Sequence, residues 1–211
     1  MSTSSPQSTS QQQTIVTLDL EGVLVPEIWI AVAEKTGIEA LRRTTRDEPN
    51  YDTLMKYRLD LLDRHGLTMS LISEVIGTLS PLPGAADFLD RLREITQVII
   101  LSDTFEQFGQ PLMEHLGRPT LLCHRLVVES DRIVDYRLRM PDQKRHAVQA
   151  FHGLNYRVVA AGDSYNDTAM LAEADAGFLF HSPPNVRAEF PQFPALDTFD
   201  ELLSHITEAL G

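Results

Sequence analysis

An apolar, β-branched run, Thr14-Ile15-Val16-Thr17-Leu18, ends abruptly in two carboxylates two residues apart, Asp19 and Glu21, with Gly22 immediately after. A run of this kind reads as a buried strand, and in open α/β sheets ligands bind beyond the carboxyl ends of the strands. Held together there and unpaired, Asp19 and Glu21 would repel each other and lose hydration, so they weigh against folding unless they have work to do. A divalent cation and a phosphoryl group suit them. The fold must therefore offer a strand edge where further polar groups converge.

Composition limits what such a site can serve. The net charge of −12 over 211 residues repels nucleic acid and anionic membrane, and neither is expected as a partner. It leaves anionic small molecules open, because a metal ion and a few lysines invert the potential locally. Cys123 is the single cysteine, so no intramolecular disulfide can form. A buried thiol in a cytoplasmic protein is the expectation. Residues 1–13 are Ser, Thr and Gln with one Pro, lack the basic start and apolar centre of a signal peptide, and read as a disordered tail. No apolar run is long enough to span a bilayer.

The pattern divides the rest in two. Between residues 27 and 80 no strand signal appears. Helices are expected over 27–36 before Gly37, over 38–46 before Pro49, over 51–65 before Gly66, and from a Thr68 cap to Leu79 before Pro81. That is a helical subdomain inserted after the first strand, far longer than a loop. Trp29, among Ile28, Ile30 and Val32, reads as core, and Arg42, Arg43 and Arg46 as a solvated helix face. From Pro83 helices and strands alternate. Strands are expected over 98–101, 120–123, 158–161 and 178–180, with a hairpin at Ser130-Asp131. Helices are expected over 85–94 and 105–116, from an Asp142 cap to His152, and from a Thr198/Glu201 capping box to the end. The predicted fold class is α/β, with a Rossmann-like parallel sheet covered on both faces. Its core spans 14–26 and 81–211, and the helical cap spans 27–80.

Three strand ends carry polar clusters: Asp19/Glu21, Ser102-Asp103, and Asp163/Asp167 in Gly162-Asp163-Ser164-Tyr165-Asn166-Asp167. Parallel strands bring such ends to one edge. Lys144 follows the Asp142 cap. Alone, Ser102, Lys144 or Asn166 would more often be a cap or a surface group, and Asp103 reads as a helix cap. In this order, however, acidic pair, hydroxyl, lysine and acidic pair resemble the haloacid dehalogenase superfamily over nearly all of 14–211. The resemblance implies phosphoryl transfer. Asp19 would be the nucleophile that forms an aspartyl-phosphate, and Glu21 the acid and then the base. Mg²⁺ would sit on Asp19, the Glu21 main-chain carbonyl and Asp163. Ser102, with N–H groups at the start of the helix from Phe105, would hold phosphoryl oxygens, Lys144 would add fixed positive charge, and Asp167 would act from behind. Glu21 departs from the usual second aspartate, and an acid at this place speaks against a halide leaving group.

An insertion directly after the first motif resembles the phosphoserine phosphatase branch. There Glu27 would face the substrate ammonium and Arg58 would pair with its carboxylate, with Asn166 donating nearby. The stretches 19–30 and 162–168 look like the bacterial bifunctional phosphoserine phosphatases that also transfer the phosphoryl group to homoserine. The implied substrates are L-phosphoserine and, for transfer, homoserine. Two alternatives stand beside this: a phosphatase of another small metabolite, and a phospho-accepting receiver-like module. The oligomeric state is not readable, with a homodimer left open.

Overall fold

In a computed structural model, residues 12–45, 47–48 and 50–211 are described. The tail expected over 1–13 lies outside them as far as residue 11, and so do Arg46 and Pro49. Seven strands form one sheet: β1 (Thr14–Leu18), β2 (Gln97–Phe105), β3 (Thr120–Glu129), β4 (Arg132–Arg137), β5 (Arg157–Gly162), β6 (Ala176–Phe180) and β7 (Ala195–Leu196). Their order is β4-β3-β2-β1-β5-β6-β7, parallel except for the antiparallel edge strand β4. The chain runs outward from β1 to β2 and β3, then crosses back to β5 on the other side of β1. The β1/β5 gap is thus the switch point where such sheets bind ligands.

Strand side chains alternate between two cores, as a pleat requires. Val16, Leu18, Ile100, Val159, Ala161 and Phe180 join one cluster. It includes residues of α4 (Ala85–Arg93), α5 (Glu106–His115) and α9 (Phe199–Leu210). Leu101, Val158, Ala160 and Leu179 join the other, with α6 (Gln143–Gly153), α7 (Thr168–Glu173) and α8 (Pro184–Glu189). Between β1 and α4 lies the helical insertion: α1 (Ile28–Thr36), a 3-10 turn (Glu39–Arg42), α2 (Tyr51–Arg64) and α3 (Met69–Gly77). Ile28, Val32, Met55 and Ile76 are among its buried residues that belong to the first cluster. Among the described residues no helix is long and apolar enough to cross a membrane.

Several expected elements shift. The helix expected over 38–46 is only the Glu39–Arg42 turn, since its four residues bury just Leu41. The strand expected to stop at Leu101 runs on to Phe105, which pairs with His124 across an irregular register. Polar side chains hid it, because this stretch faces a site and not a core. For the same reason α5 begins at Glu106, so Asp103 caps no helix. Asp142 occupies the N-cap of α6 without a side-chain bond to its backbone, and pairs with Arg145 instead. The strand expected over 120–123 runs on without a break to Glu129, and α8 and β7 were not expected at all. The caps at Thr68 and Thr198/Glu201 form as read, and the hairpin turns through Ser130 and Asp131 at φ of 47° and 65°.

Candidate active site

The carboxyl ends of β1, β2 and β5 meet at a pocket of about 90 Å³ lined by Asp19, Glu21, Ser102, Asp103 and Asp163. The insertion closes it with Glu27, Trp29, Tyr51 and Arg58. Every predicted site residue except Lys144 and Asp167 lines this cavity, and those two lie directly behind it.

Asp19 is anchored by backbone pairing to β5, where its N–H donates to the Ala161 carbonyl at 3.0 Å. Its Oδ1 accepts from the N–H of Leu20 at 2.7 Å and stands 2.9 Å from Lys144 Nζ. Lys144, 2% exposed, also donates to Asp167 Oδ1 at 2.7 Å and lies 3.9 Å from Asp103 Oδ2. Burial disfavours its charge, yet three carboxylates outweigh that and raise its pKa. The other oxygen of Asp167 accepts from the N–H groups of Asp163 and Ser164 at 3.0 and 3.1 Å. Both oxygens of Asp167 are thus engaged in holding the lysine and the loop.

Asp19, Asp163 and Asp167 are all buried, with one carboxylate oxygen of each within 4.8 Å of the others. Three carboxylates face one ammonium. Burial first, then Asp167 and Asp163, push the Asp19 pKa well up, against the pull of Lys144. Such a cluster of hard oxygen donors with excess negative charge suits a divalent cation such as Mg²⁺. Room for it depends on two glycines. Gly22 has φ +77°, and a β-carbon there would come within 2.6 Å of the Asp163 carboxylate. At Gly162 a β-carbon would stand 2.3 Å from Asp167 Cγ. Its need is for space, since no side chain fits between the strand end and Asp167.

Glu21 accepts from the N–H of Ile28 at 2.9 Å, so it caps the first turn of α1. Glu27, at the N-cap position itself, makes no cap bond and lines the pocket instead. Burial, aided by the charge of Glu27, raises the Glu21 pKa to about 7, while the Ile28 bond and neighbouring Thr104 and Arg58 oppose the rise. A carboxyl of that pKa gives and takes protons at neutral pH. Arg58 is buried, donates from Nη2 to the Arg43 carbonyl at 2.9 Å, and lies over the Trp29 ring at 4.5 Å. Trp29 therefore does both things: it packs edge-on against Phe108 and supports a guanidinium in the pocket. Burial lowers the Arg58 pKa to about 10, which leaves it charged at neutral pH.

Ser102 Oγ accepts from the N–H of Thr104 at 3.2 Å, so that N–H is already engaged before any ligand arrives. Asp103 accepts from Asn166 Nδ2 at 3.0 Å and from Gln143 Nε2 at 3.1 Å. Lys144 and these donors hold its carboxyl well below the usual range despite burial. Sequence reasoning missed Gln143, Thr104 and Tyr51. Gln143 also donates to the Ser102 carbonyl at 2.5 Å, and Tyr51 donates to the Asp103 carbonyl at 2.9 Å. Adjacency to Lys144 was a usable signal for Gln143. Nothing in the local pattern marked Tyr51.

A family model for haloacid dehalogenase-like hydrolases matches residues 14–175, and the chain belongs to that family. Within it, the chain is 66% identical over 196 residues to a phosphoserine phosphatase of Pseudomonas syringae pv. tomato, covering 92% of this chain and 83% of that one. It is 64% identical to the phosphoserine phosphatase ThrH of Pseudomonas aeruginosa, covering 92% and 96%. These relatives put it in the phosphoserine phosphatase branch. A substrate-bound phosphoserine phosphatase complex superposes with a TM-score of 0.78 at 19% identity, covering 93% of this chain and 99% of that one. A phospho-aspartyl intermediate analogue of a phosphoserine phosphatase gives 0.77 at 18%, covering 92% and 99%. Those two structures establish a shared fold. The receiver-like alternative falls with the family assignment.

Proposed function

We propose that the chain is an Mg²⁺-dependent phosphatase of L-phosphoserine that works through an aspartyl-phosphate on Asp19. The observation that carries the substrate is the pairing of Glu27 and Arg58 in the pocket that holds Asp19 and Glu21. One carboxylate and one guanidinium match the ammonium and carboxylate of an α-amino acid. Relatives of 66% and 64% identity bearing the phosphoserine phosphatase name support it.

Oδ1 of Asp19 already takes Leu20 N–H and Lys144, so attack falls to Oδ2. Asp19 and Asp163, with the Glu21 main-chain carbonyl, would hold the cation, and Asp167 would position Lys144 behind them. When bound, Mg²⁺ neutralises phosphoryl charge and so admits an anionic nucleophile. Lys144 adds fixed positive charge beside Asp19, and Ser102 and Asn166 donate to phosphoryl oxygens. Glu21 first protonates the departing serine oxygen and then takes the proton of the attacking water. Asp103 keeps its charge on Gln143 and Asn166 and shapes the loop that carries Ser102.

The same intermediate accepts any alcohol that the amino-acid clamp can hold, so transfer to homoserine, one methylene longer than serine, extends the proposal. A single cysteine supports a cytoplasmic setting for the reaction, where it stays reduced. One assay tests both parts: phosphoserine and Mg²⁺, with and without homoserine, following phosphate, serine and phosphohomoserine. Serine formed without phosphohomoserine sinks the transfer. Turnover of other phosphomonoesters but not phosphoserine returns the reading to a phosphatase of another small metabolite.

A further inference from the structure

Among the described residues, two buried side-chain polar atoms have no hydrogen-bond partner: Nε of Arg58 and Oγ1 of Thr104. Both residues line the same pocket, and they are only 7% and 4% exposed. Buried donors without acceptors are rare in native proteins. Two of them in one small cavity point to a shared ligand that is an acceptor.

Thr104 lies two residues beyond Ser102 on β2, so their side chains share a face of the strand. Its methyl carbon stands 3.9 Å from where a β-carbon on Gly109 would be, which turns the methyl toward α5. The hydroxyl is left toward the pocket. There it faces the Glu21 carboxyl and helps hold its pKa down, though the two make no hydrogen bond of normal geometry. Ser102 and Thr104 are about 6–7 Å apart along an extended backbone. A short amino-acid phosphate spans a comparable distance between its phosphoryl group and its carboxylate.

We propose that Thr104 is a specificity-determining residue whose hydroxyl donates to the substrate carboxylate, the group that Arg58 also takes. This rests on the amino-acid phosphate reading above and adds a second donor to it. A two-oxygen anion satisfies both orphaned donors at once. A substrate without a carboxylate leaves both unmet.

The test compares L-phosphoserine with O-phosphoethanolamine, which keeps the phosphate and the ammonium, in the full chain with Mg²⁺. The second compound is followed as a substrate or, where turnover is slow, as a competitive inhibitor. Thr104→Val removes the hydroxyl at constant shape. Assayed at about pH 6, where Glu21 stays protonated with or without the hydroxyl, it should lower kcat/KM for phosphoserine about tenfold, mainly through KM, and change O-phosphoethanolamine by less than about twofold. Thr104→Ser should recover most of the loss. The Thr104→Val melting temperature should be no lower than that of the parent chain, because the empty site loses no hydrogen bond of normal geometry. Should Thr104→Val fail to fold, Thr104→Ala carries the same comparison. Equal losses on both ligands, no loss on phosphoserine, or failure of serine to rescue overturns the proposal. A parent chain that hydrolyses other phosphomonoesters but not phosphoserine overturns the substrate reading itself, whatever Thr104 does.

Discussion

Glu21 keeps its proton to about pH 7 because burial and Glu27 both oppose its charge. That sets a direction for the pH dependence. With Glu21 as the proposed acid, formation of the aspartyl-phosphate needs it protonated when the leaving group is an alkoxide. Above about pH 7 the protonated fraction falls tenfold per unit, so kcat/KM for phosphoserine should fall with it. Acetyl phosphate leaves without needing a proton and should show no such limb; an identical fall for both would remove Glu21 from the acid role. Glu21→Gln should cost roughly 10²- to 10⁴-fold on phosphoserine. On acetyl phosphate the same variant should accumulate phosphoenzyme, since the water then lacks its base, and acid quench with labelled substrate would detect it. Gly22 belongs to the same scale. At φ +77° and 2.6 Å from Asp163, Gly22→Ala should cost about 1–2 kcal/mol from the backbone alone. It should also raise the Mg²⁺ needed for half-activity, as thermal unfolding and metal titration would show. Unchanged metal dependence would mean that Asp163 yields to the methyl group.

The insertion meets the rest of the chain through few polar contacts, which makes its docking open to test. Tyr51, at the start of α2, reaches the Asp103 carbonyl, and Asp52 accepts from the Tyr136 hydroxyl of β4 at 2.6 Å. At the far end, the N–H and hydroxyl of Ser70 donate to Asp131 in the β3–β4 turn, at 2.9 and 2.8 Å. The hairpin is thus a shelf for the insertion. Tyr51→Phe should cost about 0.5–1.5 kcal/mol in denaturant unfolding and raise KM for phosphoserine while sparing kcat. A loss in kcat alone would assign Tyr51 to chemistry. Here lies the boundary of what could be read from the chain. Periodic apolar residues and side-chain caps made α2, α3, α5, β1 and β5 legible, because those signals are local. Ser102-Asp103-Thr104 concealed the end of β2, since strand residues that face a ligand lack the apolar alternation that marks a strand. Tyr51 and Gln143 escaped for a different reason: their partners are 52 and 41 residues away. The core of the site was readable because each strand end carries its own polar cluster, whereas the contacts that brace it arise only on folding.

Over the whole molecule, a net charge of −12 surrounds a pocket meant for an anion. Arg58 in the pocket and Lys144 behind it are both buried and do little for a substrate still far from the surface. Raising ionic strength from about 0.01 M to 0.15 M shortens screening from about 30 Å to 8 Å. Where association limits the rate, kcat/KM for phosphoserine should then rise, by up to about tenfold, with kcat nearly constant. A fall with salt would show that the pocket's own positive field reaches into solvent. The strand order carries one more consequence. β1 lies between β2 and β5, so the first strand of this sheet to be synthesised is among the last to be enclosed. A nascent chain that has emerged only through β4 has one edge of its central strand bare and Asp19 without Lys144 or Asp163. Catalytic competence therefore arrives late in synthesis, after a long interval in which that open edge is what chaperones and neighbouring chains encounter.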